Sequence, residues 1–192
     1  MPKIALTFDD GPHELHTEPL LDVLSKHDVK ATFFVQGSMI EKNPELLKKT
    51  HDLGHAIGNH TYSHPDPTTI SPDELKAELV KTSALIEGAL GRPPVLFRPP
   101  FGSQNDEVLG LLASMGLKSV LWDVSAEDWR HDDPQLSFEK VVEGVNAHEA
   151  SGDDDVIVIL LHDALASCHK AADKIIECLK PKGFEFCVVS NG

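Results

Sequence analysis

A chain of 192 residues, 41% hydrophobic and 25% charged, has the length and composition of one globular domain that buries a continuous core. Its 31 acidic against 17 basic residues, a formal charge of −14, exclude nucleic acid as the natural partner and disfavour an anionic membrane surface. It has no apolar run of about 18 residues to insert in a bilayer and no charged-then-apolar signal segment at its start.

Apolar runs with β-branched or aromatic content predict seven strands, at residues 3–8, 31–36, 55–59, 95–98, 119–123, 156–161 and 184–189. Helical periodicity between them predicts helices at roughly 18–27, 44–53, 72–90, 106–115, 135–148 and 168–179. The third helix has the clearest ends: Ser71 as N-cap, Pro72 in the first turn, Glu74 completing a capping box and Gly91 beyond the last turn. Alternation of strand and helix implies a parallel sheet, and most of these strands are too uniformly apolar to have a wet face. The expectation is a single α/β domain over residues 1–192, open or closed, with no linker or internal repeat. Cys168, Cys178 and Cys187 are an odd set, and ten helical residues between the first two rise roughly 15 Å, too far for a bridge. Free buried thiols are expected, and the absence of CxxC spacing argues against metal ligation by them.

With the strands placed, the polar residues fall at their carboxyl ends. Asp9 and Asp10 follow the first strand, His60 and His64 the third, Arg98 ends the fourth, Asp123 to Trp129 follow the fifth, and His162 and Asp163 the sixth. In parallel α/β architectures that edge carries ligands and catalysts.

The stretch Thr7-Phe8-Asp9-Asp10-Gly11-Pro12 closes an apolar strand with two adjacent carboxylates. Like charges side by side raise one pKa unless a cation lies near, so a divalent metal for one and an arginine for the other would answer the need. The competing reading is an ordinary acidic turn. His60-Thr61-Tyr62-Ser63-His64 sets two imidazoles four apart, close enough on one helical turn to share a metal, although Pro65 stops any helix there. Such a pair also arises by chance among 11 histidines. Joined by Asp10 it becomes two histidines and a carboxylate, a recurring catalytic zinc set with a position left for water. Asp9 is then the available base, Arg98 its charge partner, His162 the candidate acid, and Asp128 the carboxylate that would orient and charge His162. Alone, His162 reads equally as a capping or core histidine and Arg98 as a surface ion pair.

Taken in order, Thr7–Pro12, His60–His64, Arg98-Pro99-Pro100-Phe101-Gly102, Asp128-Trp129 and Leu160-Leu161-His162-Asp163 resemble the five motifs of the polysaccharide deacetylases, the NodB-homology domain of carbohydrate esterase family 4. The resemblance spans nearly the whole chain. It implies a deformed (β/α)7 barrel of parallel strands and one divalent metal, commonly zinc, with cobalt, manganese or nickel as alternatives. Asp9 would be the catalytic base, and Asp10, His60 and His64 the metal ligands. Arg98 would set the state of Asp9, His162 would be the acid tuned by Asp128, and the Phe101 main-chain N–H would help hold the oxyanion. Trp129 and Leu160 would line a small pocket for the acetyl methyl. Two departures stand out: Phe101 where the family often has Tyr, and Ser125 where it usually has an aspartate.

The implied activity is hydrolysis of N-acetyl groups on N-acetylglucosamine units of a polysaccharide or oligosaccharide by a monomer. Short connections at the strand ends and the acidic charge favour chitin or chito-oligosaccharides over peptidoglycan. An O-acetyl xylan esterase would use the same site, a small cyclic amide or imide hydrolase would need altered metal or acid positions, and a carbohydrate-binding domain would have lost the ionisable set. Family members act mostly outside the cytoplasm.

Overall fold

The computed structural model describes residues 2–151 and 156–190. Strand β1 (Lys3–Asp9) is buried from Ile4 onward because its two faces meet different layers. Ile4, Leu6 and Phe8 join a cluster with Leu20, Leu24 and Ile176, whereas by strand alternation Ala5, Thr7 and Asp9 face the space the sheet encloses. Full burial of each such Ile, Leu or Phe is worth about 1.5–3 kcal/mol, which makes this strand the anchor of the sheet.

Helix α1 (Thr17–Lys26), β2 (Thr32–Val35), α2 (Gly37–Lys42), α3 (Pro44–Asp52), β3 (Ala56–Asn59), α4 (Pro72–Leu90), β4 (Leu96–Phe97) and α5 (Asp106–Ser114) follow. Then come β5 (Lys118–Ser119), β6 (Val124–Ser125), α6 (Pro134–Ser151), β7 (Ile157–His162), α7 (Cys168–Leu179) and β8 (Glu185–Phe186). The cap on α4 is as the sequence reads: Ser71 Oγ accepts from Glu74 N, the Glu74 carboxylate accepts from Ser71 N, and Gly91 closes the helix in the left-handed region at φ 74°. Helix α7 buries Cys168, Ala171, Ala172, Ile175, Ile176 and Leu179, a stripe at three- and four-residue spacing that faces α1, α6 and the sheet. The three cysteines are free as expected, but only Cys168 is buried; Cys178 and Cys187 are half-buried.

Every ladder is parallel, in the order β5-β4-β3-β2-β1-β7-β6, with β8 on the opening residues of β1. The predicted strand 119–123 differs from the observed one. Its chain pairs with β4 at Lys118–Ser119 and with β7 at Val124–Ser125, so one extended segment is divided between the two edges of the sheet. At the crossing, the main-chain oxygens of Val120 and Leu121 accept from the Arg98 guanidinium at 3.1 Å each, which replaces the ladder bonds lost there. Counting that divided segment once, seven parallel segments form a curled half-barrel in a single domain. Helix α2, which the periodicity did not predict, occupies the connection after β2. Among the described residues no helix is long and apolar enough to cross a membrane.

Candidate active site

The carboxyl ends of the strands open on a cleft of about 530 Å³ lined by Asp9, Asp10, His60, His64, Phe101, Trp129, Leu160 and His162, with Trp122, Ser125, Glu127 and Leu165 among the remaining walls. Asp9, the last residue of β1, is buried and receives Arg98 Nη1 at 2.9 Å. Arg98 is itself fully buried, and the same Nη1 donates to Thr7 Oγ1 at 2.6 Å. The surface ion pair that sequence alone allowed for Arg98 is therefore overturned: the buried guanidinium makes four hydrogen bonds, to Asp9, Thr7 and the two carbonyls of the crossing segment.

Asp10 leaves the strand at φ 80° and turns its carboxylate toward the two imidazoles. Asp10 Oδ1 lies 3.5 Å from His60 Nε2 and 3.4 Å from His64 Nε2. Donors about 2.1 Å from a tetrahedral ion stand roughly 3.4 Å from one another, so these two separations match a divalent-metal site, and all three ligand atoms lie within 4.8 Å of one another. The tautomers agree. His60 Nδ1 donates to the Arg98 carbonyl at 2.7 Å, which leaves Nε2 with its lone pair toward Asp10. Gln36, at the end of β2, donates its side-chain amide to Asp10 Oδ1 at 2.7 Å and fixes the carboxylate's orientation. His60 and His64 do not share a helical turn. Thr61 and His64 are both left-handed, at φ 63°, and the chain loops back on itself to bring the two rings edge to face at 5.0 Å.

The charges of the cluster are tightly coupled. Burial opposes ionisation of Asp10, yet His60, His162 and His64 hold its pKa well below the carboxylate range. Burial likewise pushes His60 down, but Asp9 and Asp10 outweigh it and the imidazole is raised. Asp163, pressed beneath the turn so closely that a Cβ on Gly11 would come within 2.1 Å of its Oδ2, is raised to about 7 by burial and bonded to Thr17 Oγ1 at 2.6 Å.

On the neighbouring strand β7, His162 Nδ1 lies 2.8 Å from Asp128 Oδ1, and Asp128 Oδ2 accepts the His162 main-chain N–H at 2.8 Å. Burial lowers the imidazole, but the Asp128 hydrogen bond and charge, with Asp9 and Asp10, lift it to about 9. With Nδ1 committed to Asp128, Nε2 is the nitrogen free to exchange a proton with a ligand. Phe101 sits at φ 60° with its exposed ring edge-on to His64 at 4.8 Å, Trp129 is exposed at the mouth, and Leu160 is buried at the floor. A second cluster, His27, Asp173 and Glu177, also has metal-ligand spacing, but Lys26 Nζ already sits 2.9 Å from Asp173 and 3.2 Å from Glu177.

Residues 1–120 match the family model for polysaccharide deacetylase. The chain belongs to the polysaccharide deacetylases. The deacetylase chain is 35% identical over 189 residues to the peptidoglycan-N-acetylglucosamine deacetylase PgdA of Listeria monocytogenes, covering 98% of this chain and 38% of that protein. It is 38% identical over 188 residues to the peptidoglycan-N-acetylmuramic acid deacetylase PdaC of Bacillus subtilis, covering 98% and 38%. The solved structure of PdaC superposes with a TM-score of 0.86 at 37% identity, covering 98% of this chain and 88% of that one. A peptidoglycan-N-acetylglucosamine deacetylase of Bacillus cereus is 37% identical over 193 residues, covering 98% and 67%. The chain thus spans 38% of the length of the Listeria and B. subtilis proteins.

Two residues of this site, Gln36 and Trp122, carry no motif in the sequence. Gln36 closes a predicted strand at the same rim, which was the signal available for it. Trp122 packs against Gly102, where an added Cβ would lie 2.9 Å from its ring, and so helps shape the cleft wall. Ser125, at the position where the family usually has an aspartate, caps Glu127 N through its hydroxyl at 3.1 Å.

Proposed function

We propose that this chain is a metal-dependent N-deacetylase that removes acetyl groups from N-acetylhexosamine units of a peptidoglycan-type glycan. The observation that carries the reading is the Asp10–His60–His64 triangle beside Asp9, with His162 facing the same cleft. When bound, a divalent cation at that triangle, zinc by the chemistry of two imidazoles and a carboxylate, supplies Lewis acidity for the attacking water and the acyl oxygen.

The protein's own groups do the rest. Asp9, aimed by Arg98, takes the proton from water as it attacks the acetyl carbon. An amide nitrogen leaves poorly without a proton, and His162 Nε2 provides one while Asp128 stabilises the imidazolium. The Phe101 main-chain N–H, on a left-handed residue against His64, serves as a donor to the developing oxyanion. Leu160 and Trp129 bound a space suited to a small acyl group. Every one of these groups comes from one chain, which supports a monomeric catalyst.

The names of the relatives support peptidoglycan over the chitin preference expected from charge and connection length. Net charge says nothing of the field inside the cleft, so relatives at 35–38% identity over nearly the whole chain weigh more. A cell-wall glycan would place its work outside the cytoplasmic membrane. The test is acetate release on peptidoglycan fragments, chito-oligosaccharides and acetylated xylan, before and after chelation and with zinc, cobalt, manganese or nickel restored. Release from N-acetylated glycan that vanishes with the chelator and returns with metal is expected. Undiminished release after chelation, or release from xylan alone, would overturn the reading.

A further inference from the structure

The loop joining His60 to His64 carries two left-handed residues that are not glycine, Thr61 and His64. Such a conformation persists in L-residues only where its surroundings over-determine it. Here the peptide groups between the two imidazoles are gripped from opposite sides. On one side the first N–H groups of α2 hold the carbonyls: Gly37 N donates to Thr61 O and Ser38 N to Tyr62 O, each at 3.0 Å. On the other, Glu78 of α4 takes the amides. Its Oε2 accepts Tyr62 N and Ser63 N at 2.7 Å each, and its Oε1 accepts Ser63 Oγ at 2.8 Å. The half-buried carboxylate thus bridges three donors of a single loop, none of which touches the cleft.

Helix α4 braces the same loop at a second point. Asn59 Nδ2 donates to Leu79 O and Ser83 Oγ at 3.0 Å each, while Asn59 Oδ1 accepts Thr61 N at 2.8 Å. Thr61 Oγ1 then accepts His64 N at 3.1 Å. Of these groups Glu78 is the one that carries charge and holds consecutive amides, so its bonds are charge-assisted and shorter than neutral ones.

We propose that Glu78 is a positioning residue for the metal site: by clamping the Tyr62 and Ser63 amides it sets the spacing of His60 Nε2 and His64 Nε2, and with it the affinity for a divalent cation. The inference rests on the metal-site reading above and goes beyond it, because Glu78 stands outside all five motifs. A ligand pair on a slack loop must be ordered when the ion binds; on a clamped loop that ordering precedes binding.

The test measures zinc dissociation constants by competition with a chromophoric chelator, and the visible absorption of the cobalt-loaded protein, for wild type and four variants. Glu78→Ala should weaken zinc by roughly 10- to 100-fold and alter the cobalt spectrum, as loss of a group that orients metal ligands does elsewhere. Glu78→Asp keeps the charge but is too short to span both amides, and should weaken zinc nearly as much. Glu78→Gln keeps a carbonyl for the amides and can donate to Ser63 Oγ, so it should recover most of the affinity. Glu74→Ala removes the capping box of the same helix and should lower the melting temperature while leaving affinity and spectrum unchanged. Wild-type affinity in both Glu78→Ala and Glu78→Asp, or equal weakening in Glu74→Ala, would overturn the positioning role and leave the catalytic reading standing. A wild-type protein that binds no divalent cation would overturn both.

Discussion

Asp9 and His162 are direct partners across the parallel ladder of β1 and β7. Neighbouring strands lie about 4.8 Å apart, and partners in register project the same way, so candidate base and candidate acid are fixed side by side by backbone hydrogen bonds alone. The metal triangle is attached to the same framework one residue further on, at Asp10.

This arrangement separates the demands of the two bond-breaking events. Replacing His162 by Ala removes the proton an amine leaving group needs but not the one that water loses. Deacetylation of an N-acetylated glycan should fall by about 10²- to 10⁴-fold, whereas hydrolysis of an activated aryl acetate should fall much less. Parallel steady-state assays on both substrates check this; equal losses would remove His162 from the acid role.

The pull of Asp128 on His162 sets an alkaline limit. An imidazole raised to about 9 donates a proton at neutral pH, and the rate should decline as pH rises through its pKa. Asp128→Asn keeps the shape and removes the charge, so the imidazole pKa falls and the alkaline limb of the kcat profile moves to lower pH. An unmoved limb would assign that limit to another group.

Arg98 should matter to stability as well as to rate. Removing it as Arg98→Ala leaves Asp9 buried without its countercharge and strips the bonds to Thr7, Val120 and Leu121. A loss of about 3–5 kcal/mol in urea unfolding is expected. A loss below about 1 kcal/mol, the scale of an exposed pair, would contradict the buried geometry.

Metal should stabilise the fold through its ligands. At a hundredfold excess over the dissociation constant, a ligand specific to the native state adds about 2.7 kcal/mol, seen as a rise in melting temperature. Zinc should raise the wild-type value and leave that of Asp10→Ala unmoved. A similar rise in both proteins would place the stabilising ion elsewhere.

His55 provides an acid-sensitive element remote from catalysis. Its Nδ1 accepts Ala31 N at 3.1 Å, its ring packs edge-on to Phe33, and burial, with the charge of Lys30, pushes its pKa down to about 4. The unfolded chain binds this proton near pH 6.5 and the folded one only near 4, so stability is lost as pH falls through that window, by roughly 3 kcal/mol in all. Denaturant unfolding of His55→Asn across the window should show a shallower acid slope than wild type; parallel slopes would exclude His55 as the source.

Much of this protein was legible in its order of residues. Uniformly apolar β1 and β7 could bury both faces only in a parallel α/β sheet, and the capping box and Gly91 fixed the ends of α4 because those signals are local. The ionisable set fell at strand ends for the same reason: strand boundaries are read locally, and Asp9, His60, Arg98 and His162 each stand at one.

What sequence could not supply depends on contacts between distant segments. Residues 119–123 read as one strand because extended backbone is locally uniform, and only the positions of β4 and β7 divide the segment between 118–119 and 124–125. The His60–His64 pair reads as a helical turn by spacing, yet α2 and Glu78 hold it in a left-handed loop. Arg98 could be exposed or buried until its partners, as far as 91 positions away in the chain, were assembled around it. Local patterning selects the elements; which charges lose their water, and which then meet, is settled only when those elements pack.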